Sequence, residues 1–258
     1  MRQTEGRSLG KRARWLFIAG VSLILLFALP QFSSKAENLE EEGDRKIMAE
    51  AGSMKGKQSE GRFEFEKQKI FFKDYSPAGK AKATVLLLHG ARFSSATWEE
   101  TKTLNELQDA GIRAFAVDLP GFAKSKGVKV SDRTAFMEAL VKYIGKVGFI
   151  VSPSASGSFS LPYLETKGTE IDGFIPVAPV GVSGFKPSGE VKKKLKVFAV
   201  VGEKDGGGVR DLEKFETLFK NFDKLIIKDG SHPAYLDAPD LWNKELIAFI
   251  LKVAKDDR

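Results

Sequence analysis

The sequence predicts an α/β protein built on a mostly parallel, doubly wound sheet. From residue 61 onward, short apolar runs rich in β-branched residues alternate with segments of helical periodicity. The later runs are apolar almost throughout, which is typical of parallel strands that are buried on both faces. A repeated strand–helix–strand order implies crossover connections, and these place helices on both sides of one sheet.

The predicted elements follow one another regularly along the chain. Alternation in RFEFEKQKIFF, residues 62–72, indicates one or two antiparallel strands. Nearly continuous apolar strands come next, at residues 84–89, 112–119, 147–152, 172–178, 195–202 and 224–229. Helical patterns fall between or after them, at residues 97–110, 132–144, 158–167, 211–221 and 238–254. The first helix has Thr97 and Glu100 in capping-box spacing and stops at Gly111.

The composition excludes several classes of site. The 258-residue chain has no cysteine, which removes disulfide scaffolds, thiolate metal sites and cysteine nucleophiles. Because His89 and His232 are its two histidines, a poly-histidine metal site is not expected. The net charge is +7, but residues 1–35 hold six basic residues and one acidic residue, so the remainder carries only +2. That near balance gives little attraction to phosphate backbones, so we expect no nucleic-acid partner. We also expect no metal and no resident cofactor.

The N-terminal segment resembles a targeting sequence. Basic residues precede an uncharged apolar run at residues 15–29, which ends at Pro30. As a helix this run would span about 22 Å, short of the roughly 30 Å hydrocarbon core, a length between a cleavable signal peptide and a signal anchor. Small residues at Ser34 and Ala36 suit signal peptidase, and acidic residues after the run place the N-terminus in the cytosol. A buried terminal helix is the alternative interpretation.

Three parts of the chain are therefore predicted. Residues 1–35 form a signal anchor or signal peptide, residues 36–60 a flexible tether, and residues 61–258 the folded domain. The tether is charged and rich in glycine, serine and lysine, with no apolar period. We expect a single-pass membrane protein with its main domain in the lumen or outside the cell, or a protein secreted after cleavage near Ala36.

A serine-rich turn follows the predicted strand at residues 147–152. In sheets of this kind the functional loops gather at the carboxyl ends of the strands. Ser154 is flanked two residues away by Ser152 and Ser156, which are the small residues that a strained strand-to-helix turn requires, although GxSxG is the usual form. Taken alone, this stretch is better explained by a serine-rich turn without chemistry.

Two further strand ends carry polar residues that complete a pattern. Asp205 comes three residues after Gly202, and His232 lies just beyond the last predicted strand. Glu203 is the alternative to Asp205, although it lies nearer the strand. Serine, aspartate and histidine in this chain order, each after a different strand of one sheet, are the arrangement of an α/β-hydrolase triad.

These residues predict acyl chemistry. Ser154 would attack an acyl carbonyl after His232 takes its proton, while Asp205 would orient the imidazole and balance its positive charge. The loop after Gly90 would supply one oxyanion-hole amide. The backbone N–H groups of Ala91 and Ala155 are therefore predicted to bind the oxyanion.

The chain resembles the α/β-hydrolase domain-containing protein 14 family over about residues 62–252. The resemblance rests on VLLLHGARFSSATWE, GIRAFAVDLPGFAKS, VSPSASGSFSLPYL, GFIPVAP, VVGEKD and GSHPAYLD. The family's nucleophile turn, Ser-Pro-Ser-x-Ser-Gly, matches residues 152–157 and assigns Ser154 as nucleophile and Asp205 as acid. The apolar N-terminal run resembles the A form of the family, which is a membrane protein. The resemblance implies deacylation of small acyl groups and, for the B form, removal of acetyl from lysine with coenzyme A as acceptor.

Two departures from the family pattern stand out. Glycines 206–208 follow the acid and could loosen its loop. The KKKLK stretch at residues 192–196 is either a solvated basic patch or a contact for the phosphates of coenzyme A.

The predicted function is that of a serine esterase or deacylase working through an acyl-enzyme intermediate. Residues 179–194 are too few to form a cap domain, so we expect an open pocket and small acyl esters or acyl-lysine as substrates. Acyl transfer to coenzyme A is the first alternative. The second is a membrane-tethered interaction protein that keeps the hydrolase fold without catalysis.

Overall fold

The computed structural model of the protein describes residues 56–256. Within this range the chain forms an eight-stranded sheet. The strands are β1 (Lys57–Phe65), β2 (Gln68–Ser76), β3 (Ala83–Leu87), β4 (Ile112–Val117), β5 (Phe149–Pro153), β6 (Gly173–Val177), β7 (Lys196–Gly202) and β8 (Asn221–Ile227). They lie side by side in the order β1-β2-β4-β3-β5-β6-β7-β8, and the pairs β1–β2 and β2–β4 are antiparallel while the others are parallel. The predicted doubly wound α/β fold is confirmed.

Helices cover both faces of this sheet. They are α1 (Thr97–Glu100), α2 (Thr103–Asp109), α3 (Arg133–Ile144), α4 (Gly157–Lys167), α5 (Gly189–Lys194), α6 (Gly206–Leu218), α7 (Ala234–Asp237) and α8 (Pro239–Asp256). The predicted helix at 97–110 is two helices, because Lys102 adopts a left-handed conformation with φ of 60°. The capping box predicted from Thr97 is not formed, since Thr97 already lies inside α1 and no side chain caps that helix.

The central strands are buried on both sides, as their continuous apolar character predicts. On β3, Leu86 packs into the core on the first face of the sheet, whereas Val85 and Leu87 pack into the core on the second face. The first face of the sheet is covered by α3, α4, α5 and α6, and the second face by α1, α2, α7 and α8. Burial of the side chains in these central strands therefore places the polar functional groups at the ends of the strands.

The start of the sheet differs from the predicted domain limit. β1 begins at Lys57, four residues before position 61 where the sequence places the start of the folded domain. Between β6 and β7 lie a 3₁₀ turn (Val182–Gly184) and α5, which together are too short for a cap domain. The limits of the tether and of the hydrolase domain stay predictions.

The predicted localisation has to be corrected. We expected a single-pass membrane protein with a luminal or extracellular catalytic domain, or secretion after cleavage near Ala36. Among residues 56–256, no helix is both long and apolar enough to cross a bilayer. The run at residues 15–29 and the position Ala36 lie outside the described residues. The membrane topology is accordingly withdrawn.

The carboxyl ends of β7 and β8 approach each other closely at Gly202. A Cβ atom at this position would lie 2.5 Å from the backbone of Gly230. The amides of Glu203 and Lys204 donate hydrogen bonds to the carbonyls of Ile227 and Gly230, at 3.0 and 2.8 Å. Glycine at 202 therefore lets the loop after β7 dock against the loop after β8.

We expect Gly202→Ala to lower the free energy of unfolding by about 1–3 kcal/mol, because its methyl group meets backbone that cannot rotate away. Chemical denaturation monitored by circular dichroism measures this change. Gly189→Ala is the matched control, since no heavy atom outside its neighbours lies within 4 Å of the added carbon. An unchanged unfolding midpoint for Gly202→Ala would contradict the close docking of these loops.

Candidate active site

Ser154 sits at the turn between β5 and α4. It opens a 3₁₀ turn (Ser154–Ser156) that leads directly into the helix. Its φ is +50°, a left-handed conformation that is uncommon for a residue with a Cβ atom. Such a conformation costs on the order of 1–3 kcal/mol and persists only where the surroundings impose it. The serine is half-buried, so its side chain is accessible at the carboxyl edge of the sheet.

Of the five alternating serines around this turn, Ser154 and Ser158 are half-buried and the other three are buried. Ser152, Ser156 and Ser160 are fully buried behind the turn. Ser156 Oγ donates to the carbonyl of Pro153 at 2.7 Å, and Ser152 Oγ lies 3.0 Å from Ser156 Oγ and 2.6 Å from Ser160 Oγ. Because each hydroxyl has one proton, the direction is determined: Ser160 donates to Ser152, and Ser152 donates to Ser156. This chain of hydroxyls ties α4 to the last peptide of β5.

Neighbouring loops press against the Ser154 turn from both sides. The amide of Val180, which follows β6, donates to the carbonyl of Ser154 at 2.8 Å. Gly157 packs on the same loop, where a Cβ atom would lie 2.9 Å from the amide nitrogen of Val180. On the other side, a Cβ atom at Gly90 would lie 3.4 Å from Ser154 Cβ. The loop that begins at Gly90 therefore passes directly beside the serine.

The predicted oxyanion-hole residues occupy the two segments that meet at Ser154. Ala91 follows Gly90 in the adjacent loop, and it is exposed. Ala155 is the second residue of the 3₁₀ turn, at the start of the helical segment. The first amides of a helical segment have no partner within that segment, so they are available to an anion. The assignment of Ala91 and Ala155 to an oxyanion hole stays a prediction.

Asp205 and His232 are in direct contact. Asp205 Oδ2 lies 2.8 Å from His232 Nδ1, and Asp205 Oδ1 accepts the amide of Gly208 at 2.9 Å. Burial raises the pKa of Asp205, but the hydrogen bonds from the Gly208 amide and from His232 outweigh it and hold that pKa below its ordinary value. The carboxylate is therefore ionised at neutral pH and accepts at both oxygens.

Glycines 206–208 open a helix and do not loosen the acid's loop. Asp205 is the N-cap of α6, which begins at Gly206, five residues earlier than the sequence pattern suggested. At Gly208 a Cβ atom would lie 2.7 Å from Asp205 Oδ2 and 2.8 Å from Ala178 Cβ. Glycine is required here because the helix begins against the carboxylate itself.

The loop that carries His232 is closed by its own hydrogen bonds. The amide and the hydroxyl of Ser231 both donate to Asp237 Oδ2, at 2.6 and 2.9 Å. Glu203, the alternative acid, accepts the amide of Asp229 at 2.9 Å and so binds the preceding turn. The side chain that contacts the histidine is Asp205.

His232 and Ser154 are not joined by a hydrogen bond in the described part of the chain. The His232 side chain is 41% exposed, and its Nδ1 atom is engaged with Asp205. The other ring nitrogen, Nε2, is the one that remains for a proton transfer. Catalytic hydrogen bonds of unliganded sites are often formed only in the substrate complex.

The second histidine is a structural residue that connects two strand ends. His89 is fully buried, and its Nε2 accepts the amide of Leu119 at 2.9 Å while Nδ1 contacts the carbonyl of Gly90 at 2.8 Å. Because Nε2 accepts, Nδ1 carries the proton and donates to Gly90. Burial lowers the pKa of His89 and keeps the ring neutral, although the Gly90 carbonyl and the charge of Asp118 oppose this.

Asp118 organises the loop beside the serine. Its Oδ1 accepts the amide of Ser95 at 2.7 Å, and its Oδ2 accepts the amide of Lys124 at 3.0 Å. The sequence predicts a turn and loop-packing role for it, from a single acid near the end of the apolar run at residues 112–119. Together with His89 it holds the loop that begins at Gly90.

The basic stretch at residues 192–196 lies at the opposite edge of the sheet. Its last residue, Lys196, opens β7, whereas Asp205 follows that strand, and seven residues of strand span about 20 Å. The lysines therefore do not adjoin Ser154. In residues 56–256, no group of three histidine, cysteine or acidic side chains could hold a metal ion.

Solved structures similar to this chain are α/β-hydrolases. A protein described as a predicted CIB-like hydrolase from Thermoplasma acidophilum has a TM-score of 0.66 and 22% identity, covering 76% of this chain and 99% of that one. Carboxylesterase CesB from Bacillus subtilis has a TM-score of 0.62 and 16% identity, covering 81% and 98%. At these identities the likeness establishes the fold. No protein-family model matches the chain.

Curated relatives establish the family. The human protein named "Putative protein-lysine deacylase ABHD14B" is 37% identical over 202 residues, which are 75% of this chain and 95% of that protein. Mouse Protein ABHD14A is 32% identical over 188 residues, 70% of this chain and 76% of that protein. The chain belongs to the ABHD14 family. It is a hydrolase of the α/β-hydrolase superfamily, of the esterase or deacylase type, as the sequence predicted.

The expected likeness to the A form of the family is not supported. Identity is 35–37% to three ABHD14B proteins and 30–33% to four ABHD14A proteins. The assignment rested on the apolar run at residues 15–29, which lies outside the described residues.

We expect acid to destabilise the protein through His89. The unfolded chain binds a proton at this histidine more readily than the folded protein does, since burial lowers the pKa from its ordinary value of 6.5. The contribution to stability is therefore complete above about pH 6.5 and is lost as pH falls, by up to about 1.4 kcal/mol per pH unit. Denaturant unfolding from pH 7.5 to 5 measures the slope. The slope should be shallower in His89→Gln, and equal slopes would contradict a buried neutral imidazole.

We expect Ser156→Ala to lower the free energy of unfolding by about 1–3 kcal/mol, because it leaves the Pro153 carbonyl without its donor and Ser152 without its acceptor. Thermal or denaturant unfolding measures this. Ser131→Ala is the control, since Ser131 is exposed and its hydrogen bond to Glu66 lies at the surface. Equal stability of the two variants would show that the buried hydroxyls do not support the turn.

Proposed function

We propose that this protein is a serine hydrolase that removes small acyl groups from esters or from acylated lysine side chains. Ser154, His232 and Asp205 form the catalytic triad, and the reaction passes through an acyl-enzyme. The observation that carries the proposal is the contact between Asp205 Oδ2 and His232 Nδ1, at 2.8 Å. It lies at the same sheet edge as Ser154, whose left-handed φ of +50° is typical of a nucleophile elbow.

The ionised Asp205 determines which nitrogen of His232 acts as the base. Because the carboxylate can only accept, His232 Nδ1 carries the proton and donates it to Asp205. The lone pair is then on Nε2. As Nε2 takes the hydroxyl proton of Ser154, the imidazolium that forms is stabilised by the adjacent carboxylate.

Acylation and deacylation use the same groups in turn. Ser154 Oγ bonds to the acyl carbon while the carbonyl electron pair moves to oxygen, and the N–H groups of Ala91 and Ala155 bind that oxyanion. The tetrahedral intermediate then expels the alcohol or amine, which takes its proton from His232. Water repeats the sequence on the acyl-enzyme: His232 removes one proton of the water, and Ser154 leaves as the free hydroxyl.

The substrate class follows from the open site and from the relatives. Only a 3₁₀ turn and α5 separate β6 from β7, so no cap domain is inserted between these two strands. An open site admits an acyl group carried by a peptide. Protein-lysine deacylase is the activity in the name of the human relative, and this supports acyl-lysine as a substrate here.

Two alternatives have weaker support. Transfer of the acyl group to coenzyme A stays a prediction. The lysines at residues 192–196 lie at the far edge of the sheet, so they give it no support as a phosphate contact. A membrane-tethered interaction protein without catalysis is not proposed, since the membrane topology is withdrawn and the chain belongs to a hydrolase family.

We expect a fluorophosphonate probe to label the wild-type protein at Ser154. The Ser154→Ala variant should not be labelled. His232→Ala and Asp205→Asn should keep the fold and lower kcat for an acetyl ester, by about 10⁴-fold for Asp205→Asn. In-gel fluorescence and initial-rate assays measure both effects.

Ser156→Ala and Glu203→Gln are the controls for this experiment. Both should remain labelled, because Ser156 is buried and Glu203 binds the turn at Asp229. Labelling lost only in Ser156→Ala would mean that the nucleophile is misassigned, and a large loss of kcat in Glu203→Gln would transfer the acid role to Glu203. Faster hydrolysis of dodecanoyl than of acetyl esters would contradict the small-acyl assignment.

A further inference from the structure

Val180 is a large apolar side chain exposed next to the proposed nucleophile. It is 48% exposed, although apolar residues at the ends of buried strands normally pack inward. Its backbone amide donates to the carbonyl of Ser154 at 2.8 Å, which fixes the residue beside the serine. Its carbonyl and amide also pack against Gly157, the first residue of α4. Its backbone is thus fixed beside the serine, and its exposed isopropyl group is available to an apolar ligand there.

A second apolar side chain lies on the other side of the serine. Phe93 is half-buried, and a Cβ atom at Gly90 would lie 3.3 Å from its ring and 3.4 Å from Ser154 Cβ. Its amide donates to the carbonyl of Gly90 at 3.0 Å. Phe93 and Val180 therefore flank Ser154 from two different loops.

The loops that carry these two side chains pack against opposite faces of the sheet. The loop of Val180 continues into Val182 and Phe185, which are buried in the core of the first face. The ring of Phe93 contacts Tyr235, at 6.4 Å between centroids in an edge-on arrangement, and Tyr235 is buried in the core of the second face.

The position of His232 distinguishes the roles of the two faces. The residues that follow it, Ala234 and Tyr235, pack on the second face. In the proposed mechanism His232 must reach the leaving oxygen or nitrogen to protonate it, so the leaving group lies on the second-face side. The acyl chain occupies the remaining direction at the tetrahedral carbon, toward the first face.

From this arrangement we infer that Val180 contacts the acyl chain of the substrate and Phe93 contacts the stem of its leaving group. The inference rests on the proposed function and adds to it the two residues that select the substrate. For an acyl-lysine substrate, the apolar four-carbon stem of the lysine would lie along Phe93. The acyl carbons beyond the carbonyl would lie along Val180.

Two ester series test the assignment on the full-length protein. One varies the acyl group from acetyl to butyryl with a single alcohol, and the other varies the alcohol from ethyl to hexyl with acetyl. Each buried methylene contributes about fourfold to binding. Val180→Ser should therefore lower the butyryl-to-acetyl ratio of kcat/KM about 4–10-fold. Val180→Leu, which keeps an apolar side chain, should retain the wild-type ratio. Phe93→Ser should lower the hexyl-to-ethyl ratio by a similar factor.

Ile226→Ser is the matched control, because Ile226 is also exposed, at 45%, but lies within β8 away from the loops that meet at Ser154. It should change neither ratio. If the wild-type protein is labelled at Ser154 but Val180→Ser leaves the acyl ratio unchanged, or changes only the alcohol ratio, the assignment is overturned and the proposed function stands. If the wild-type protein is neither labelled nor active on any ester, the proposed function fails and the assignment fails with it.

Discussion

The arrangement of the site depends on the Asp205 carboxylate, because each of its oxygens binds a different part of the chain. One oxygen accepts the amide of Gly208 at the start of α6, and the other contacts His232 beyond β8. A helix that follows β7 is thereby connected to a loop that follows the neighbouring strand. This contact requires glycine at 202 and at 208. A side chain at 202 would displace the backbone of Gly230, and a side chain at 208 would displace the carboxylate itself.

The backbone strain at Ser154 is balanced by contacts around the turn that do not involve the Ser154 side chain. The buried hydroxyls of Ser152, Ser156 and Ser160 hold the peptide that precedes Ser154. The amide of Val180 donates to the carbonyl of Ser154. Serine at the small-residue positions therefore has a second function beyond small size, because glycine would offer no hydroxyl to the Pro153 carbonyl. The reactive hydroxyl is left accessible while its backbone is fixed from both sides.

Several features of the fold could be predicted from local pattern and others could not. Continuous apolar runs predicted the parallel strands, because burial on both faces removes every polar position from them. The break between α1 and α2 at Lys102 and the start of α6 at Gly206 were missed. The glycine run looks flexible in sequence, but it is helical because Asp205 caps it, and the same carboxylate is held by His232 from a distant part of the chain.

The sequence by itself determined the fold class, the family and the identity of the candidate groups, since strand periodicity and residue order along the chain are local properties. The tertiary structure decided which acid contacts His232, that three of the alternating serines are buried, and that Val180 and Phe93 stand on opposite sides of Ser154. These depend on how the loops after several different strands meet at one edge of the sheet. Such contacts join residues about 140 positions apart, as between Phe93 and Tyr235, and no local pattern encodes them.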